Sequence, residues 1–157
     1  MQLSDFLKEE YISTDISTTD RDEAIQELVN LLDADGILND AKQTYNAILE
    51  REKIMTTGVG NGIAIPHCKD SSCPNFAVAI GILNKKIDFS SIDKKKVKLI
   101  FLLVGPENNP GMHIKLLSRI SRLLSNDELR ENLFSAKSPA KILELIKEEE
   151  SYYFDID

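Results

Sequence analysis

Residues 76–104 read FAVAIGILNKKIDFSSIDKKKVKLIFLLV. The two ends, Phe76–Leu83 and Val97–Val104, are apolar, rich in branched residues and bounded by turn formers. Runs of that length and composition are buried strands. Ile87-Asp88-Phe89 between them has the size of a short edge piece. Upstream, Ile63-Ala64-Ile65 is a third apolar run, stopped by Pro66. On both sides of this block the apolar spacing becomes helical. Asp20 with Glu23 forms a capping-box-like start, and Ala24, Ile25, Leu28, Val29 and Leu32 then share one face. Gly36 sits where a left-handed residue ends a helix. A second helix is expected from Asp40 to about Lys53, with Tyr45, Ile48 and Leu49 inward. In the last third, Ile114, Leu117, Ile120, Ser121 and Leu124 form one stripe, and Asp127–Phe134 and Pro139–Lys147 read as two further helices. Helices, then strands, then helices point to an α/β or α+β layer protein whose helices cover a small mixed sheet.

The chain of 157 residues fits a single domain over 1–157 and can bury a core without disulfide or metal staples. Its net charge of −7 disfavours nucleic acid as the main partner and suits a partner with a basic face. No segment approaches the roughly 18 apolar residues of a membrane helix, so no direct membrane insertion is expected. The N-terminus lacks a basic segment followed by an apolar run, so it does not read as a signal peptide. Cys68 and Cys73 are the only two cysteines, which fits a reducing, cytoplasmic setting. The closing SYYFDID is aromatic and acidic, and either packs on the body or frays.

The chemistry concentrates in Arg51–His67, REKIMTTGVGNGIAIPH. Gly58, Gly60 and Gly62 let the backbone turn tightly and expose N–H groups to an anion. His67 follows at the end of the short apolar strand. One of its ring nitrogens can face a partner while a backbone carbonyl fixes the other and sets the tautomer. Neutral imidazole attacks phosphorus without a separate base. His113, the only other histidine, follows the Gly105–Gly111 loop and opens the Ile114–Leu124 helix. There it can donate to phosphoryl oxygens beside a helix N-terminus. Arg51 can clamp the same oxygens in bidentate fashion. From position alone, each has a plain structural reading as well. His67 fits a half-buried structural histidine, His113 a neighbour of a helix cap, Arg51 a solvated charge at a helix end, and Thr56 and Thr57 turn residues.

The Arg51–His67 string closely resembles the active-site signature of the EIIA domains of the bacterial phosphoenolpyruvate-dependent sugar phosphotransferase system, of the fructose/mannitol type that includes nitrogen-related regulators. FLLVGPENNPGMHIKLLSRISRLL, residues 101–124, looks like the strand–loop–histidine–helix element of that family. The resemblance implies an α/β fold, a small mixed β-sheet flanked by helices on both faces. It implies that His67 is the phosphorylated residue, carrying a tele-phosphohistidine, with His113 and Arg51 as supports. Thr57, Gly58, Gly60, Asn61 and Gly62 would form the loop supporting the phosphoryl group. The donor would be an HPr-type phosphocarrier or its nitrogen-branch counterpart, the acceptor an EIIB cysteine or a regulatory protein target, and no cofactor would be needed. An apolar docking surface is expected around Val59, Ile63 and Met112. Cys68 stands where a small residue is common, and the Glu107–Gly111 turn departs slightly from the pattern.

Three other readings compete. A standalone regulator would signal through phosphorylation-dependent binding instead of feeding sugar uptake. A metal site would use His67, Cys68, Cys73 and His113, although adjacent residues on a strand point to opposite faces. A thiol enzyme would pair Cys68 with His113.

Overall fold

The computed structural model describes residues 2–153. After two short 3-10 turns, Leu3–Phe6 and Glu9–Tyr11, the chain forms β1 (Ile12–Ile16), α1 (Arg21–Ala34) and α2 (Ala41–Ile54). Four strands follow, β2 (Gly58–Gly60), β3 (Ile63–Ala64), β4 (His67–Lys69) and β5 (Ala77–Ile87), and then β6 (Val97–Gly105). Helices α3 (Pro110–Leu123), α4 (Asp127–Ser135) and α5 (Pro139–Tyr153) complete the described residues.

The sheet order is β1-β5-β6-β3-β2, with β4 also paired to β6. β5 and β6 run antiparallel, Ile80 opposite Phe101, while β1 pairs parallel with β5. The sheet is therefore mixed, as expected. In β6 every residue from Leu99 to Gly105 is buried, because the sheet is covered on both faces. α1 and α2 pack together and against β5 and β4; α3, α4 and α5 pack with one another and reach β6 and β1.

The helix starts follow from their caps. Asp20 accepts from Glu23 N–H at 2.9 Å, but the box does not close as read, since the Glu23 carboxylate accepts instead from the Thr18 hydroxyl at 2.8 Å. Asp40 caps α2 through Gln43 N–H at 3.0 Å. Gly36 has φ +70° just after α1, the left-handed conformation expected there.

Four features differ from the sequence reading. β1 was not foreseen. Gly58–Gly62 is not an open loop: Gly58–Gly60 pairs with Ile63–Ala64 as a hairpin whose turn residues Asn61 and Gly62 have φ +58° and +79°. The α3 stripe is rotated. Leu116, Ile120 and Leu123 are fully buried with His113, whereas Ile114 is 63% exposed and Ser121 is on the surface. Finally, α5 continues to Tyr153, so Ser151, Tyr152 and Tyr153 end a helix, exposed; Phe154–Asp157 lie outside the described residues.

Candidate functional site

His67 begins a strand rather than ending one. β3 and β4 both pair parallel with β6, Ala64 with Ile100 and His67 with Leu103, so the register continues across Ile65-Pro66. Pro66 has no N–H to give, which interrupts the ladder there. Its carbonyl still accepts from Leu103 N–H at 3.0 Å, while Ile65 N–H turns away to Thr57 C=O at 2.9 Å. The Ile65 carbonyl lies 2.7 Å from Nδ1 of the His67 ring. A carbonyl only accepts, so Nδ1 carries the proton and Nε2 keeps its lone pair.

His113 is placed by the cap of α3. The Asn109 side chain accepts from Met112 N–H at 3.3 Å and Pro110 occupies the first turn. His113 therefore lies inside the first turn, and its own N–H already bonds to Asn109 C=O at 3.3 Å. It does not open the helix, as the sequence reading had it. The two histidine rings are 5.5 Å apart, tilted by 53°. His113 is 3% exposed, yet neither of its ring nitrogens has a hydrogen-bond partner among the described residues.

Arg51, Lys69, His67 and His113 line one cleft of about 420 Å³, with Glu50, Ala47, Ile54, Ile114 and Leu117 around them. Arg51 spends one N–H on the Met55 carbonyl at 3.1 Å, which closes α2 and leaves most of its five donors for the cleft. Lys69 was missed in the sequence. The signal was there, since His67 and Lys69 are two apart on one strand and share a face. The rim is apolar and open, with Ile54 80% exposed beside Ile114.

Burial holds the His67 pKa below the ordinary imidazole value; the Ile65 carbonyl opposes this and the Arg51 charge adds to it. Burial, then the neighbouring His67 and Lys69, push His113 down to about 4. Both rings are thus neutral at pH 7. For His113 the unfolded chain binds the proton more readily, so stability is complete above about 6.5 and falls as pH drops towards 4. A ring NMR titration is expected to give His113 a midpoint near 4, with a downward slope in unfolding free energy from pH 6.5 to 4 that His113→Gln removes.

The glycine hairpin does something other than what was expected of it. Thr57 is buried and gives both its N–H (2.8 Å) and its hydroxyl (2.6 Å) to the Glu52 carboxylate. Gly58 N–H goes to Thr56 Oγ1 at 3.0 Å and Asn61 N–H to Asp93 at 3.0 Å. Val59, Gly60 and Asn61 line a separate hollow with Ser121, which is eight residues beyond His113, about 12 Å along the helix at 1.5 Å per residue. Within this segment it is the Thr57 carbonyl that holds the Ile65 N–H, and through Ile65 the His67 ring. Of the expected docking residues, Val59 is exposed, Met112 half-buried and Ile63 only 2% exposed. Ile63 belongs to the core.

Cys68 and Cys73 are buried and gather around Thr44: Cys73 Sγ lies 3.6 Å from the Thr44 hydroxyl and Cys68 Sγ 4.0 Å from its carbonyl. Contact with Cys73 and burial push the Cys68 thiol up, which keeps it protonated and a poor nucleophile. Among the described residues, no three His, Cys, Asp or Glu side chains converge as a metal site.

The family model for the phosphoenolpyruvate-dependent sugar phosphotransferase system, EIIA 2, matches residues 5–149. The chain belongs to this EIIA family. It is 36% identical over 148 residues to a fructose-specific EIIABC component of Bacillus subtilis, covering 94% of this chain but only 23% of that protein. A fructose-specific EIIA component of Haloferax volcanii is 34% identical over 139 residues, 88% of this chain and 90% of the relative. The crystal structure of the nitrogen regulatory protein IIA-Ntr from Neisseria meningitidis superposes with a TM-score of 0.85 at 27% identity, over 92% of this chain and 98% of that one. The protein is therefore a phosphotransfer-system component with both fructose-type and nitrogen-regulatory relatives. Among the described residues no helix is long and apolar enough to cross a membrane.

Proposed function

We propose that this EIIA chain is a phosphoryl carrier that accepts the group on Nε2 of His67 from an HPr-type phosphocarrier and passes it on. The observation that carries this reading is the His67 ring itself, which lines a cleft with two cations and whose Nδ1–H, held by the Ile65 carbonyl, leaves Nε2 with its lone pair. In the transfer, the P–N bond of the donor phosphohistidine breaks as a new P–N bond forms at Nε2 of His67. The proton stays on Nδ1 of His67, donated to the Ile65 carbonyl. Arg51, Lys69 and His113 hold the phosphoryl oxygens; positioning and charge are most of what this chemistry needs. The cleft is open and its grip modest, which suits a relay, because tight ground-state binding would hinder the next step.

The exposed Ile54 and Ile114 form the docking rim, small enough for a weak, fast encounter. The acceptor is an EIIB-type cysteine for fructose- or mannitol-like uptake. A nitrogen-type regulatory role is the second reading, supported by the extent of the superposition on the IIA-Ntr structure. Incubation with phosphoenolpyruvate, Enzyme I and HPr is expected to add one phosphoryl group, placed on His67 by tandem mass spectrometry. No mass gain, or a label elsewhere, overturns the carrier reading. Transfer of that label onward to an EIIB cysteine supports uptake; a protein captured only by one phosphorylation state supports regulation.

A further inference from the structure

A second cleft, of about 680 Å³, shares no lining residue with the His67 cleft. Lys86 comes from the end of β5, Lys95, Lys96 and Lys98 from the turn into β6 and its start, and Arg130 from α4. Five cations thus line one hollow of a chain whose net charge is −7, with Glu131 the only acid in the lining. Arg130 is partly spent, pairing with Asp127 and the Leu124 carbonyl. Lys98 gives one N–H to the Leu83 carbonyl at 2.5 Å and keeps two. Lys86, Lys95 and Lys96 make no side-chain ion pair among the described residues. Like charges lining one hollow repel one another, and an anion relieves that cost. Phe134 also lines the hollow, half-buried, its ring edge 3.4 Å from the point where a Cβ on Gly62 would sit.

We propose that this cleft binds a soluble nucleoside polyphosphate, its phosphates on Lys86, Lys95, Lys96 and Lys98 and its base against Phe134. The volume lies within the roughly 300–1,000 Å³ of small-molecule sites. One phosphate would leave most of the lysines unneutralised, whereas a polyphosphate answers several of them. An inorganic chain has no use for the aromatic ring, and a base does. A long nucleic acid would leave the cleft and meet the acidic remainder of the surface. A ligand confined to the cleft feels the local field, because screening over about 8 Å hides the rest.

The experiment is equilibrium dialysis of the full chain with ATP, GTP and inorganic tripolyphosphate, at low and moderate salt. The expected result is saturable one-to-one binding of ATP or GTP, weaker at higher salt. Lys86→Glu with Lys96→Glu should weaken it about a hundredfold, while Lys147→Glu on α5, outside the lining, leaves it unchanged. Phe134→Leu, which keeps the packing volume, should weaken the nucleotide several-fold and leave tripolyphosphate unaffected. The proposal falls if no nucleotide saturates. It also falls if the double charge reversal, folded by circular dichroism, binds as well as the parent. Tripolyphosphate matching the nucleotides in the parent protein would overturn it too.

Discussion

His67→Ala is expected to abolish phosphoryl uptake from phosphoenolpyruvate through Enzyme I and HPr, while the protein stays folded. The imidazole is half-buried at the start of β4 and makes one hydrogen bond, to Ile65, whose loss costs about 1 kcal/mol. The rest of its environment is already supplied by Pro66, the β6 ladder and the hairpin. Chemistry depends on it completely, because the other imidazole is poorly placed to substitute. His113 is 3% exposed, and an in-line approach by a donor protein needs an open face. His67→Gln sharpens the test: an amide there can still bond the Ile65 carbonyl but cannot carry the group. Intact-mass spectrometry after incubation reads both variants. A full label on His67→Ala, on His113 or elsewhere, would remove the proposed carrier. Uptake by the parent should hold its rate from pH 8 down past the ordinary imidazole value of about 6.5, since the depressed pKa keeps Nε2 unprotonated there.

What the sequence disclosed of this arrangement depended on how far each signal stayed local. β5 and β6 are central, and their continuous apolar runs read directly as buried strands. β1 escaped because only its ends are buried: Ile12 and Ile16 face the core while Ser13-Thr14-Asp15 stay polar, so neither alternation nor an apolar run appears. The hairpin was misread through its glycines. Asn61-Gly62 between two short extended segments is a strong two-residue hairpin signal, and both residues have the positive φ that such a turn requires. Counting glycines as loop material hid it.

The site was legible as residues and not as geometry. His67 and Arg51, found from the Arg51–His67 string, and His113, found from the 101–124 segment, do line one cleft. The glycine run was assigned to the phosphoryl group because glycine-rich backbone can expose N–H groups to an anion; the Gly58 N–H goes to Thr56 Oγ1 and the Asn61 N–H to Asp93. Glu52 shows why. It occupies the same helical face as Thr44 and Ile48, at i+8 and i+4, and is buried like them. A carboxylate on a buried face must find donors, and Thr57 supplies two. The pairing of Glu52 with Thr57 thus explains both residues as one structural tie, which no reading of either alone contains.

His113→Ala is expected to slow phosphoryl transfer to His67 by about 10²- to 10³-fold without moving the final label, the usual loss for one preorganised donor at a developing charge. The argument starts from a cost. Two ring nitrogens are buried 5.5 Å from the His67 ring, centroid to centroid, without a partner, and a buried unpaired polar group costs about 1–3 kcal/mol. A fold that tolerates this gains the bond elsewhere, and on the proposed carrier reading the phosphoryl oxygens on His67 would be the acceptor within reach. Truncation removes that cost along with the ring's packing against Phe76, two terms of opposite sign, so stability should change by less than about 2 kcal/mol. His113→Gln restores an N–H and should recover part of the rate. Phosphorylation itself brings a charge of about −1.5 to −2 beside the ring, so the His113 titration should move upward from about 4 when His67 is loaded. Single-turnover transfer from phospho-HPr and ring NMR of both states measure these effects. An unchanged rate in a folded His113→Ala protein, or a His113 titration indifferent to phosphorylation, would reduce His113 to a packing residue.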